Sequence, residues 1–113
     1  MDEKKMQVLY PETYKIELFQ GMKNIGNILS QKFTVEILQY LSFEPVRYKN
    51  LIKLLGCNHN ILSRRLKKLK EYNLITQRPV YIEREKVDEY TLTEKGQELI
   101  KFFRTFIENG EGK

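Results

Sequence analysis

Five polar residues with chemistry to offer crowd into nine positions of this chain: His59, Asn60, Ser63, Arg64 and Lys67. Leu62, Leu66 and Leu69 recur among them at i, i+4 and i+7, the spacing of one face of a helix. A helix over about residues 59–72 that turns the leucines inward turns the polar five outward. These are the side chains that hydrogen-bond to base edges in a DNA groove: Arg to guanine, Asn to adenine, Ser to either. Lys68 and Lys70 lie further along, where cations meet phosphates, which set register and affinity without carrying sequence information. A basic helix face is on its own usually just solvated, and a lone histidine is usually a surface polar residue. The neighbouring elements must therefore decide between solvent and DNA.

Other chemistries lack their residues. The chain has one histidine and one cysteine, whereas a self-contained zinc site takes about four ligands, mostly of those types. No metal and no cofactor are expected. No Ser/His/Asp or Cys/His set accompanies His59, so no catalytic residue and no enzyme activity are expected. Gly21 to Gly26 holds two glycines but lacks the Gly-Lys-Ser/Thr ending of a phosphate loop. A single cysteine excludes an internal disulfide and fits a reducing compartment. Cys57 is expected to be a packed core thiol. No apolar run approaches 18 residues, and Met1-Asp2-Glu3-Lys4-Lys5 leads into no apolar leader segment. The expectation is a cytoplasmic, nucleoid-associated prokaryotic protein with no membrane partner.

Net charge is +5, which by itself indicates only a soluble protein with some affinity for polyanions. The distribution says more. Residues 47–86 hold 11 basic and 3 acidic side chains, a net of +8, and the remaining segments net −3.

The elements around this basic middle follow from periodicity. Pro11 and Glu12 suit a first helical turn, with a helix to about Gln20 and a weak junction at Gly21. Met22 to Leu29 is expected to form a second short helix. A third follows Ser30, with Phe33, Ile37, Leu38 and Leu41 inward, ending by Glu44 because Pro45 disfavours helix before it. Val46–Tyr48 suits a very short strand, and Lys49–Leu55 a helix ended by Gly56. Asn58 is a suitable N-cap for the 59–72 helix and Asn73 a left-handed terminator. Then the period changes. Leu74–Glu83 and Val87–Leu92 are rich in β-branched and aromatic residues and pair as a hairpin around a polar turn, Arg84-Glu85-Lys86. Pro79 marks an edge strand or bulge. Thr93 caps a last helix over about 94–108. The order is that of a winged helix–turn–helix: mainly α with a small β-hairpin, an α+β chain. Such proteins place the second helix of the pair in the major groove. Arg78, Arg84 and Lys86 on the wing would lie along the backbone or enter the minor groove. One domain is expected over 9–109, with loose ends at 1–8 and 110–113.

The run from Leu62-Ser63-Arg64-Arg65-Leu66 to Asn73-Leu74-Ile75 resembles a recognition helix and its exit in winged-helix regulators, L-S-x-x-L-x-x-L-x-x-x-G-L-[IV]. Tyr90-Thr91-Leu92-Thr93-Glu94-Lys95-Gly96-Gln97-Glu98-Leu99 is similar to their Y-x-L-T-x-x-G-x-x-L. Together the runs resemble the HxlR group of small bacterial and archaeal transcription regulators, and more loosely the MarR group. Ile28 to Thr34 sits where the group has I-G-G-K-W-T, and Arg47-Tyr48-Lys49-Asn50-Leu51 where it has R-F-x-x-L. Asn73 stands in place of Gly, Phe33 in place of Trp, and Cys57 in place of an aliphatic residue. The resemblance implies double-stranded DNA as partner and a two-fold dimer.

The apolar residues of the chain ends point the same way. Leu99, Ile100, Phe102, Phe103, Phe106 and Ile107 cover more than one stripe of the last helix, and Tyr14, Leu18, Phe19 and Met22 are in excess near the start. The two sets either face a second copy or satisfy each other within one chain. Two alternatives remain at this point: a winged helix that binds DNA without sequence preference, as a chromatin protein does, and one that binds other proteins. Tyr48 and Tyr72 are expected to be core or rim aromatics.

Overall fold

The computed structural model describes residues 12–110, with side chains for 17–109. The sequence expectations for residues 1–8 and for Pro11 lie outside these, as does the side chain of Tyr14. The chain divides into two compact units, one ending at Gln31 and one running from Lys32 onward.

Helix α1 spans Glu12–Ser30 without interruption. The expected junction at Gly21 is absent. A glycine inside a helix costs about 1 kcal/mol relative to alanine, which its helix-forming neighbours offset. The Gln20 side-chain amide also donates to Asn24 Oδ1 at 3.0 Å, spanning the glycine along one face.

The second unit begins with α2, Thr34–Phe43. Phe33 precedes this helix instead of lying in it: its φ is 76°, and its carbonyl accepts from the Ile37 N–H at 3.0 Å. Glu44 is extended before Pro45, as the ring requires. Strand β1, Val46–Arg47, leads directly into α3, Tyr48–Leu55. Gly56 closes α3 at φ 62°, its N–H reaching the Ile52 carbonyl. Asn58 then caps α4, His59–Glu71, its Oδ1 accepting from the Ile61 N–H at 2.9 Å. Asn73 ends the turn at φ 58°, a left-handed value that asparagine tolerates.

Strands β2, Ile75–Ile82, and β3, Glu85–Leu92, form an antiparallel hairpin. β1 adds to the other side of β3, giving the order β1-β3-β2. Pro79 lies on the edge strand β2 and stays in register opposite Asp88, so no bulge is needed. The turn differs from expectation: it is Glu83-Arg84, and Glu85 and Lys86 belong to β3. Both turn residues have positive φ, the conformation of a two-residue hairpin loop whose twist matches the strands. Helix α5, Glu94–Gly110, completes the chain. The architecture is a winged helix–turn–helix.

The core of this unit joins Ile37, Leu38 and Leu41 of α2, Leu51 of α3, Leu62, Leu66 and Leu69 of α4, and Leu74, Ile75, Tyr90 and Leu92 of the wing, all buried. Each large aliphatic buried here contributes about 1.5–3 kcal/mol. Burial holds the Tyr90 phenol above its ordinary pKa of 10.0, with smaller contributions from Asp88 and Tyr48, so it stays uncharged.

The wing and α5 meet α4 at one junction. The Thr93 N–H donates to the Leu74 carbonyl at 3.0 Å, and Thr93 Oγ1 donates to the Asn73 carbonyl at 2.6 Å. The same Oγ1 accepts from the Gly96 N–H at 3.0 Å, capping α5. A Cβ on Gly96 would overlap the Leu74 carbonyl oxygen and stand 3.2 Å from Leu92 Cδ2. The backbone carbonyl cannot swing aside without breaking its bond to Thr93. Gly96→Ala is therefore expected to destabilise the fold by about 2 kcal/mol or more, the usual cost of overpacking a close contact, read as a lower denaturant midpoint at unchanged slope.

Candidate nucleic-acid interface

Helix α4 separates its two faces cleanly. Leu62, Leu66 and Leu69 are buried, whereas His59, Asn60, Ser63, Arg64, Lys67 and Lys68 are all exposed. The sequence-predicted polar residues thus share one solvent-facing surface. Their placement is set by the Asn58 cap, which fixes where the helix starts, and by the leucines, which fix its rotation. The exposed Arg64 donates from Nε–H to the Asn60 carbonyl at 3.3 Å, which holds its stem along the helix.

The cations of the middle segment are not equivalent. Arg65 is half-buried and donates from Nε to the Lys32 carbonyl at 2.8 Å, tying α4 to the start of its own unit. Arg47 is also half-buried, with Nε shielded from water. Arg78 lies directly opposite Glu89 across β2 and β3 and donates to its Oε1 from Nε at 3.1 Å and from a terminal nitrogen at 2.8 Å. Its charge is largely balanced by that carboxylate. Lys68 stands 3.5 Å from Glu71 one turn on, an exposed pair worth well under about 1 kcal/mol. Lys70 donates to Gln77 Oε1 at 2.8 Å, joining α4 to the wing. Among the described residues, Arg64 and Lys67 on α4 and Arg84 and Lys86 at the hairpin end have no acidic partner. Lys49 and Lys53 on α3 are likewise exposed and without an acidic partner among the described residues, so unbalanced positive charge lies on α3, on the outer face of α4 and at the tip of the wing.

Tyr48, expected as a core or rim aromatic, is half-buried at the rim and touches this face. Tyr48 opens α3, and its hydroxyl lies 3.1 Å from His59 Nδ1, 3.3 Å from the His59 carbonyl and 3.1 Å from Ser63 Oγ. Its ring stacks on the His59 imidazole at 5.5 Å between centroids. Its motif places an aromatic ring there, but only the packing of α3 beside α4 shows this contact. Cys57, between the two helices, is half-buried and not a core thiol. Among the described residues no group of three His, Cys, Asp or Glu could hold a metal ion, and no helix is long and apolar enough to cross a membrane.

The helical ends differ from the core. On α5, Phe102, Phe103, Phe106 and Ile107 are exposed, Phe106 to 65%, and Leu99 is half-buried. Phe102 packs edge-on to Phe103 and stacks with Phe106. On α1, Leu18, Phe19 and Met22 are exposed, with the Lys23 ammonium 5.2 Å above the Phe19 ring.

Comparison with known proteins places this geometry. The model of the HxlR-like helix-turn-helix family matches residues 28–112. No curated protein matches the chain. Diamide-treated YodB from B. subtilis is similar in structure, with a TM-score of 0.67 and 25% identity, over 76% of this chain and 85% of that one. Two transcriptional regulators assigned to the MarR family share the fold. The one from Porphyromonas gingivalis W83 has a TM-score of 0.65 and 24% identity, over 81% of this chain and 90% of that one. The one from Enterococcus faecalis V583 has a TM-score of 0.68 and 23% identity, over 88% of this chain and 86% of that one.

The hairpin turn allows a charge to be removed without disturbing the fold. Arg84 has φ 69°, which disfavours any residue with a Cβ. Arg84→Gly is expected to leave thermal stability unchanged or raise it by up to about 1 kcal/mol, because relief at the turn outweighs glycine's greater unfolded-state entropy. The same variant is expected to bind DNA more weakly, with a log–log salt slope shallower by about 1. Loss of stability together with binding would show that Arg84 is structural.

Proposed function

Because the chain belongs to the HxlR-like helix-turn-helix family, a family of transcription regulators, we propose that it binds double-stranded DNA sequence-specifically. In this proposal residues 9–109 act as one DNA-binding domain, with α4 in the major groove and the β2–β3 wing on the backbone or in the minor groove. The observation that carries the reading is the outer face of α4. It presents His59, Asn60, Ser63 and Arg64, which bear base-edge donors and acceptors, and Lys67, which bears an unbalanced charge. Lys68 and Lys86 meet phosphates, as does Arg84 at the wing tip. Arg78, held by Glu89, contributes less than its charge suggests.

The proposal extends to a homodimer. Phe102, Phe103 and Phe106 form an exposed aromatic cluster on α5, continued by Leu99, and α1 exposes Leu18, Phe19 and Met22 on the same element as Tyr14. Water-exposed aromatics on this scale are costly in a monomer and are covered in a two-fold dimer. Two recognition helices would then lie about 34 Å apart, and the preferred site would be roughly palindromic.

Selection of bound fragments from random DNA, followed by titration in salt, tests the reading. A two-fold-symmetric sequence is expected to be enriched. Arg64→Ala is expected to weaken binding to it by about 1–3 kcal/mol and relax the preference at one position, whereas Lys67→Ala weakens enriched and random DNA alike and flattens the salt slope by about 1. Equal affinity of the wild-type chain for enriched and random DNA would instead make it a nonspecific DNA-binding protein.

Sedimentation tests the dimer. Phe102→Glu with Phe106→Glu is expected to yield a folded monomer whose affinity for a full palindrome drops to that for a half-site. A double variant that still sediments as a dimer removes α5 from the interface.

A further inference from the structure

The hydrogen bonds around Tyr48 constrain more than position. The hydroxyl has three polar neighbours: the His59 carbonyl, His59 Nδ1 and Ser63 Oγ. A phenolic hydroxyl has one proton to give and can accept at its lone pairs. A carbonyl oxygen only accepts, and it has a second lone pair for its own helical bond. The three contacts are therefore made together in one arrangement alone. The Tyr48 proton goes to the His59 carbonyl, and Tyr48 Oη accepts from the His59 Nδ1–H and from the Ser63 hydroxyl. The two rings lie nearly parallel, at an interplanar angle of 16°.

Two consequences reach the outer face of α4. With its proton on Nδ1, neutral His59 has a bare Nε2, which can only accept. Ser63, with its proton directed to Tyr48, likewise has only lone pairs left. Both residues are exposed. Without the Tyr48 hydroxyl, each would be ambivalent: the imidazole could take either tautomer, and the serine proton could rotate to suit any base. Next to them Arg64 supplies donors only.

We infer that Tyr48 is a positioning residue that fixes the hydrogen-bonding character of α4, making His59 Nε2 and Ser63 Oγ acceptors that match a base with an exocyclic amine. In the major groove those bases are adenine, through N6, and cytosine, through N4. A hydroxyl that never touches DNA thus sets which base is preferred at one position of the site. This rests on the reading that α4 faces DNA, and the test keeps the two apart.

The first measurement needs no DNA. Nitrogen-resolved NMR of the free full-length chain, at a pH where His59 is neutral, is expected to show its proton on Nδ1. Tyr48→Phe keeps the ring and removes the hydroxyl, and is expected to move that proton to Nε2, the tautomer an unconstrained imidazole favours. A wild-type His59 protonated on Nε2, or a tautomer unchanged in Tyr48→Phe, overturns the inference whatever the DNA results. The second measurement selects sites from random DNA with both proteins. The wild type is expected to prefer adenine or cytosine at one contacted position, and Tyr48→Phe to lose about five- to tenfold of that preference while binding random DNA as before. A preference for guanine or thymine there, or one unchanged in Tyr48→Phe, overturns the readout. If Tyr48→Phe fails to fold, Ser63→Ala takes its place. It is expected to lose part of the same preference with His59 still protonated on Nδ1, and an intact preference overturns the readout. A wild-type chain without any preference overturns the regulator reading and the readout with it, and the tautomer then stands as a separate result.

Discussion

The close approach of α5 to the backbone at Leu74 is the contact on which the rest of the second unit depends. Four elements end or begin there. Asn73 turns the chain out of α4, β2 starts one residue after Leu74, and β3 returns to hand over to α5 through Thr93. The Leu74 carbonyl accepts from the Thr93 N–H, so the last residue before α5 is bonded to the first residue after the α4 exit turn. Gly96 lets the first turn of α5 lie against that carbonyl, where any side chain would collide. The Lys95 ammonium adds a bond to the Tyr72 carbonyl at 3.1 Å, one residue before the turn. The orientation of the wing relative to α4 is therefore set by backbone hydrogen bonds within a few residues, and the leucine core below reinforces it.

Fixed in this way, the unit sorts its charge. A net charge of +5 over the chain supports little. Its concentration over 47–86 supports more, and the structure divides that segment again. Arg47 and Arg65 are half-buried, Arg78 is matched by Glu89, Lys70 is engaged by Gln77, and Lys68 is held only by a weak, exposed pair with Glu71. What remains, at Lys49 and Lys53 on α3, on the outer face of α4 and at the hairpin end, is a smaller positive surface than a count of lysines and arginines conveys. Long-range attraction depends on all the charges, whereas phosphate contacts depend on the few that can approach without first giving up a carboxylate.

Much of this was legible in the residues, and the exceptions have physical causes. The helix–turn–helix followed from leucine spacing and from asparagine and glycine at the ends, because those signals are local. The Asn58 cap and the left-handed Asn73 needed nothing beyond neighbouring backbone. Local signals mislead where the preference is weak or the contact is tertiary. Gly21 signals a break in α1, but one glycine shifts the balance by only about 1 kcal/mol. Phe33 has the spacing of a helix residue, yet it sits in the left-handed region before α2, where its carbonyl starts the helix and the Lys32 ammonium lies over its ring. The hairpin turn was displaced because Glu83-Arg84 has none of the asparagine or glycine that marks a two-residue loop; pairing along β2 and β3 imposes it. Arg78 looked available because its partner Glu89 is 11 residues away and becomes its neighbour only through strand register.

Tyr48 shows why the outer face could not be completed from α4 alone. Helical periodicity says which side chains point outward, but not which of their hydrogen-bonding states the protein allows. Serine and neutral histidine can each donate or accept, and the choice is made by what lies behind them. Here that is a hydroxyl on the preceding helix, at the position where the family pattern R-F-x-x-L has a phenylalanine. A phenylalanine ring at this position would lack the oxygen. The oxygen adds three polar contacts, all to residues at the start of α4. The group changes the hydrogen-bonding surface of α4, and the helix–turn–helix is the arrangement that brings it within reach.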